Sequence, residues 1–373
     1  MHRRSRWLAG FAGLGLCLVL SLVFLSQALS FSEEETLWFV DPDDGQRYPA
    51  ESVSSVHFDL VGALAECAGF SRPAASIIQV YSQLADSNKL AGGKYSLCGR
   101  SLPVAPPSTQ VCQGQTVSRT WPRPDPTQEN AGCFTSRYNS LAPFFHFAHD
   151  TPTELGAIRA WAYAETPTLR GYAAFAYGAD VVEPVINATC TYTMPVEIDT
   201  GDVAAGSTQA FGLYLHALAD NVSEQTCLTQ LAAAGKPWGV QTNAPRFPAC
   251  ATSSFLHDFG PSDANTSETA QAVRAVYAAL MDRSMTREQE TLYYPIPLTA
   301  HDGYLAQALD EFVYTWPTVD VSRQQDYPQE RRQKAAEIKQ WCAATRASDP
   351  AYARVRWFSF LPAVIRNFRL STR

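Results

Sequence analysis

Across 373 residues the chain carries 36 acidic against 29 basic side chains, a net charge of −7, which excludes a generally basic nucleic-acid surface and any expected duplex nucleic-acid partner. Of its nine cysteines eight follow residue 30, and none forms a CxxC pair, which argues against a thiolate zinc site. No low-complexity linker or internal repeat divides the chain, and one domain is expected.

Met1-His-Arg-Arg-Ser-Arg6 precedes an uncharged run from Trp7 to Leu25, and the small residues Ala28 and Ser30 stand before Phe31. This order spells a signal peptide over 1–30. The uncharged run also approaches bilayer length, so residues 7–29 alternatively form a retained signal anchor. Either way residues 31–373 leave the cytosol, as a secreted or periplasmic domain or as one held outside the cytosol by its leader. Without the leader 26 basic residues face 36 acidic ones, a net charge of −10 that suits a domain holding cations. In that compartment Cys67, Cys98, Cys112, Cys133, Cys190, Cys227, Cys250 and Cys342 imply up to four disulfides of open connectivity. Asn187, Asn221 and Asn265 head glycosylation sequons in a eukaryotic source, with Asn221 expected to stay unmodified inside a helix.

The periodic segments read as helices, giving a mostly α, single multi-helix domain over 31–373. A first helix over 55–67 stops at Gly69, and Ser71 with Pro73 starts a second through 86, forming an αα-hairpin. The stretch 98–140, rich in Pro, Gly, Ser and Thr with three cysteines, reads as a disulfide-stapled loop excursion. Thr151-Pro-Thr-Glu154 is a capping box opening a helix through 164, and an apolar helix is expected over 169–177. Residues 181–194 have the β-type composition of a small hairpin. Ser207 caps a long helix ending before Gly235, and helical patterns return at 267–283, 302–315 and 328–346. The basic segment 331–373 holds ten Lys and Arg against Glu337 and Asp349, interleaved with Trp357, Phe358, Phe360 and Phe368. It either packs its aromatics on the helical body, the expected outcome, or lies on an anionic membrane.

On the long helix His216, Asp220 and Glu224 recur every four residues, which stacks three potential metal ligands on one stripe. In the hairpin His57 lies twelve residues before Gly69 and Asp86 fifteen after Ser71, so at about 1.5 Å per residue both stand at the same end of the pair. His146 enters in the apolar run Pro143-Phe-Phe-His-Phe147, and His257 ends another apolar segment before Asp258. Imidazole and carboxylate without thiolate is the ligand chemistry of zinc, manganese or iron. His149 and His301 are weaker candidates, and hydrogen-bonded core residues are the competing reading of every one of these side chains. No Gly-x-Ser-x-Gly elbow exists to support a serine hydrolase.

The elements His57-Phe-Asp-Leu-Val-Gly-Ala-Leu-Ala-Glu-Cys67, Gln83-Leu-Ala-Asp86, Phe145-His146-Phe147 and His216-Ala-Leu-Ala-Asp220 resemble, in this order, the helical zinc-dependent phospholipase C and single-strand nuclease superfamily. The resemblance covers roughly residues 50–265. It implies metal contacts at His57, Asp86, His146, His216 and Asp220, with one or two zinc ions acting on a small-molecule or lipid phosphoester. The superfamily uses an amino-terminal ligand where His57 here is internal. It also uses a further His where Glu224 stands, and a second His-x-x-x-Glu that is missing; His257 is the candidate substitute for one of these. Asp59 and Glu224 are then the candidates to orient a metal-bound water as general base. The dipeptides His149-Asp150, His257-Asp258 and His301-Asp302 resemble helical His-Asp phosphohydrolases less closely, since Pro152 and Gly303 put two of them at helix ends. The non-enzymatic alternative is an exported or membrane-anchored binding protein on a decayed hydrolase scaffold.

Overall fold

In the computed structural model the described residues are 38–41, 45–49, 53–85, 89–90, 94–97, 100–103, 109–112, 115–118, 142–145, 148, 152–177, 190–223, 225, 229, 263–314 and 327–354. Residues 1–37, most of 98–140, the end of the chain beyond 354, and Asp86, His146, His149, Glu224 and His257 lie outside them. No helix among the described residues is long and apolar enough to cross a membrane.

The first helical segment begins as a wide π-helical turn, Ser55–Leu60, and tightens into α1, Val61–Cys67. Ser54 initiates the turn: its hydroxyl accepts the amides of Val56 and His57, the first donors a helix start leaves unsatisfied. Gly69 then reverses the chain at φ +97°, and a Cβ there would overlap the carbonyl oxygen of Tyr293, so only glycine fits both conformation and space. Ser71 caps α2, Arg72–Leu84, completing the helical hairpin that the sequence predicts.

The long helix α5, Thr208–Ser223, is capped as expected, with Ser207 Oγ accepting the amide of Ala210 at 3.1 Å. It is the hub of the fold. Its apolar residues Phe211, Leu213, Leu215, Ala217 and Ala219 are fully buried against α2, against α4 (Leu155–Ala162) and against α6 (Asp263–Thr286). Gly212 brings α5 onto α2, since a Cβ there would stand 2.8 Å from Ile78 O and 3.2 Å from Ser82 N. Helices α7, Tyr304–Tyr314, and α8, Tyr327–Ser348, close the other side, α8 packing on α1 and on the π-helical turn. A disulfide between Cys67 and Cys342 ties α1 to α8 across 275 residues of sequence. The fully buried side chains from all these helices form one hydrophobic core, so the domain is single and mostly α-helical.

The structure corrects three local expectations. Residues Leu169–Tyr177 form strand β8 rather than a helix, paired antiparallel with β9, Cys190–Asp199, and Arg100–Pro103 adds β5 on the other edge of β9. The alanines of β8 favour a helix in isolation, but Gly171 sits mid-segment opposite Val196, and β9 offers a β-branched and aromatic edge to pair with. A Cβ on Gly171 would also strike the ring of Phe144, from the short helix α3, Ala142–Phe145. Of the small hairpin expected over 181–194, residues 190–194 belong to β9, and 181–189 lie outside the described residues. Second, Pro152 to Glu154 form turns, and Glu154 stands at the N-cap of α4 without a capping side-chain bond, so the helix starts later than the capping box implies. Third, the described parts of 98–140 are strands: β5, and an antiparallel hairpin of β6, Thr109–Cys112, with β7, Gln115–Ser118. The stapling expected there falls outside the described residues. Two short antiparallel pairs, β1 (Trp38–Val40) with β2 (Arg47–Pro49) and β3 (Lys89–Leu90) with β4 (Tyr95–Ser96), complete the strands.

Candidate metal centre

Helical spacing puts His216 and Asp220 one turn apart on α5, with His216 Nε2 3.2 Å from Asp220 Oδ2. The π-helical turn delivers His57 to the same carboxylate from across the core, its Nε2 3.3 Å from Asp220 Oδ1. The two imidazoles lie with ring centroids 4.0 Å apart and a 32° tilt. All three side chains are completely buried. Each offers a ligand atom within 4.8 Å of the other two, and among the described residues no other group of three or more His, Cys, Asp or Glu side chains is so disposed.

Two readings of this contact differ in what stands between nitrogen and oxygen. An N–H···O bond places its heavy atoms about 2.7–3.2 Å apart, and these contacts sit at or beyond the long end of that range. Neighbouring ligands of one tetrahedral ion with bonds of about 2.0–2.1 Å stand roughly 3.3 Å apart, which the two contacts match. A buried carboxylate between two imidazoles also needs a compensating positive charge, because its desolvation costs several kcal/mol. A divalent cation supplies that charge. The residues therefore fit a metal ion, held by two imidazole nitrogens and a carboxylate.

Asp59, expected to orient water, follows His57 by two residues, about half a helical turn, and its carboxylate is 3.3 Å from Arg332 Nε of α8. That pairing makes it an anchor for α8 and directs it away from His57. His301 lies on the surface, edge-on to Trp341 at 5.8 Å, and takes no part in the buried group. Of the expected ligands, His57, His216 and Asp220 come together; Asp86, His146 and His257, like the candidate base Glu224, are outside the described residues.

Three supports went unread in the sequence. The backbone amide of Ser54 donates to Gln83 Oε1 of α2 at 2.7 Å. Asn221, the residue after Asp220, donates its side-chain amide to Ala148 O at 2.6 Å, pinning the chain just beyond Phe145. Arg283, fully buried on α6, forks onto Glu290 and donates to Ala162 O and Gly206 O at 2.8 Å, its guanidinium 4.9 Å from the Phe211 ring centre. It thereby braces the start of α5. Only Ser54 carried a local signal, as a capping residue before an apolar run.

No protein-family model, curated protein or solved structure matches the chain, so the site is interpreted on its own chemistry.

Proposed function

We propose that this protein is an exported metal-dependent hydrolase of phosphate esters, with zinc held by His57, His216 and Asp220. The observation that carries the reading is the convergence of three buried ligand atoms from two elements whose ligands are separated by more than 150 residues of sequence. Two imidazoles and a carboxylate suit zinc first, with manganese or iron as the other ions of this donor chemistry. When bound, such an ion polarises a phosphoryl oxygen and lowers the pKa of its water toward neutrality. The chain's own part is to hold the ion in the core, where the complete burial of all three side chains keeps bulk water away. The substrate class is a small-molecule or lipid phosphoester. The Cys67–Cys342 disulfide supports an oxidising compartment, in keeping with the leader over 1–30.

The complete burial of all three side chains favours a second reading, a non-catalytic binding protein in which the ion holds α5 to the π-helical turn. Turnover separates the two. The purified protein is expected to carry one or two zinc ions by elemental analysis, His216→Ala and Asp220→Asn to lose them, and phosphodiester or phosphomonoester hydrolysis to disappear with a chelator. Bound zinc without chelator-sensitive hydrolysis at high protein concentration selects the binding protein. Equal, near-zero metal in all three proteins rejects both.

A further inference from the structure

We infer that Gln83 and Ser54 are positioning residues for metal binding, acting together to set His57 against the His216–Asp220 pair. The inference rests on the metal-binding reading above and deepens it. Ser54 is 1% exposed and Gln83 fully buried, so every bond between them is made away from water, where a lost partner is costly. Ser54 uses both of its acceptor oxygens on this turn. Its hydroxyl accepts from Val56 N and His57 N at 3.1 Å each, and its carbonyl accepts from Phe58 N at 3.0 Å and Asp59 N at 3.4 Å. Its own N–H goes to Gln83 Oε1, 29 residues away on α2.

A local cap needs only the hydroxyl; the bond to Gln83 adds something a cap does not. It ties the start of the π-helical turn to α2, and α2 is the helix that packs on α5 at Gly212, one turn before His216. Gln83, Ser54 and the His57 amide therefore form a continuous hydrogen-bonded link from the α2–α5 contact to the first ligand. The wide π geometry gives the link its purpose. Such turns are rare and concentrate at functional sites, because widening the helix re-aims a side chain that regular α geometry would direct elsewhere. Here the side chain so placed is His57, whose ring lies tilted against His216 with centroids 4.0 Å apart. Groups that orient a metal ligand without touching the ion commonly change affinity by about ten- to a hundredfold when removed.

The test measures zinc affinity of the full chain by competition with a chromophoric chelator, the absorption spectrum of the cobalt(II)-loaded protein, and the melting temperature of the metal-free protein. Wild type is measured first. Gln83→Met, which keeps volume and removes the acceptor, and Ser54→Ala, which removes the cap oxygen, are each expected to weaken zinc binding about ten- to a hundredfold and to alter the cobalt spectrum. Ser54→Thr, which keeps the hydroxyl, is expected to restore wild-type affinity. Should Gln83→Met fail to fold, the Ser54→Ala and Ser54→Thr pair carries the comparison. Zinc affinity and cobalt spectrum unchanged in the folded variants, whatever their melting temperatures, overturn the positioning role while leaving the metal site standing. Absence of zinc binding by wild type overturns the metal reading, and this inference with it.

Discussion

Asp220 meets two imidazoles with one carboxylate oxygen each, and the side chain that follows it shows how tightly this end of α5 is held. Asn221 is 3% exposed and its Nδ2 donates to Ala148 O, so a glycan on that nitrogen would crowd the bond and find no exit. Glycopeptide mapping after expression in a eukaryotic secretory host is expected to find Asn221 unmodified; occupancy there would mean that this end of the helix opens. A second residue-scale expectation concerns alkali. Burial pushes the phenol of Tyr277 well above its ordinary 10.0, against a smaller opposing effect from Arg346, and its hydroxyl donates to Ile296 O at 2.6 Å. Burial raises Tyr163 likewise, with help from Asp282. A group whose folded pKa is raised contributes its stability in full below the unfolded pKa and loses it as pH climbs through the folded value. Denaturant midpoints are therefore expected to fall from about pH 10 upward, and Tyr277→Phe to flatten that fall while costing a hydrogen bond at neutral pH. An alkaline limb as steep in Tyr277→Phe as in wild type would remove Tyr277 as a cause.

Among the elements, α5 decides the geometry of the centre because it carries two ligands and packs against α2, α4 and α6 at once. It comes close against α2 at Gly212. An alanine there would gain about 1 kcal/mol of helix propensity. Its Cβ would nevertheless stand 2.8 Å from Ile78 O, 2.9 Å from Tyr81 Cβ and 3.2 Å from Ser82 N, and the two backbone atoms cannot move aside by a rotamer change. Overpacking of this kind costs about 1–3 kcal/mol, so Gly212→Ala is expected to lower stability despite the better helix former. Thermal unfolding checks this, and a variant more stable than wild type would show that α2 and α5 have room to spare. Affinity for the proposed metal ion is expected to fall with it, since separating α2 from α5 pulls Gln83 and the His57 turn away from His216. Strand β8 makes the opposite point about elements: its identity belongs to its partner, because an Ala-rich, Gly-containing segment becomes a strand when β9 is there to pair with it.

At the scale of the molecule, the Cys67–Cys342 disulfide joins the first core helix to the last and closes a loop of 275 residues. Chain entropy for so long a loop sets an upper stabilisation of about 5.6 kcal/mol, and native disulfides typically contribute about 2–5 kcal/mol. Cys342→Ser is expected to lose stability within that range, read from the guanidinium midpoint. An unchanged midpoint would mean that the packing of α8 on α1, with Arg332 on Asp59 and Lys339 on Glu66, holds the closure unaided. The half-exposed Lys339–Glu66 pair contributes only about 0–1 kcal/mol, so the disulfide is expected to outweigh it.

What the amino-acid order determined by itself is what reaches only a turn or two along the chain. Ser71 and Ser207 announce their helices, the apolar periodicity predicts α1, α2, α5, α6, α7 and α8, and the four-residue spacing puts His216 and Asp220 on one face. Each of these rests on bonds between residues close in sequence, so composition and spacing suffice to read them. Only the tertiary structure decided the rest. That β8 is a strand depends on β9, that Cys67 takes Cys342 depends on the docking of α8, and that Asp59 meets Arg332 depends on the same docking. The centre itself divides along this line: the His216–Asp220 pair is local, and His57 joins it only because Gly69, Gly212 and the Ser54–Gln83 bond bring three helical segments to one point. Those approaches are enforced by close packing between surfaces far apart in the chain, and packing is a property of the surfaces once they meet, not of either segment alone.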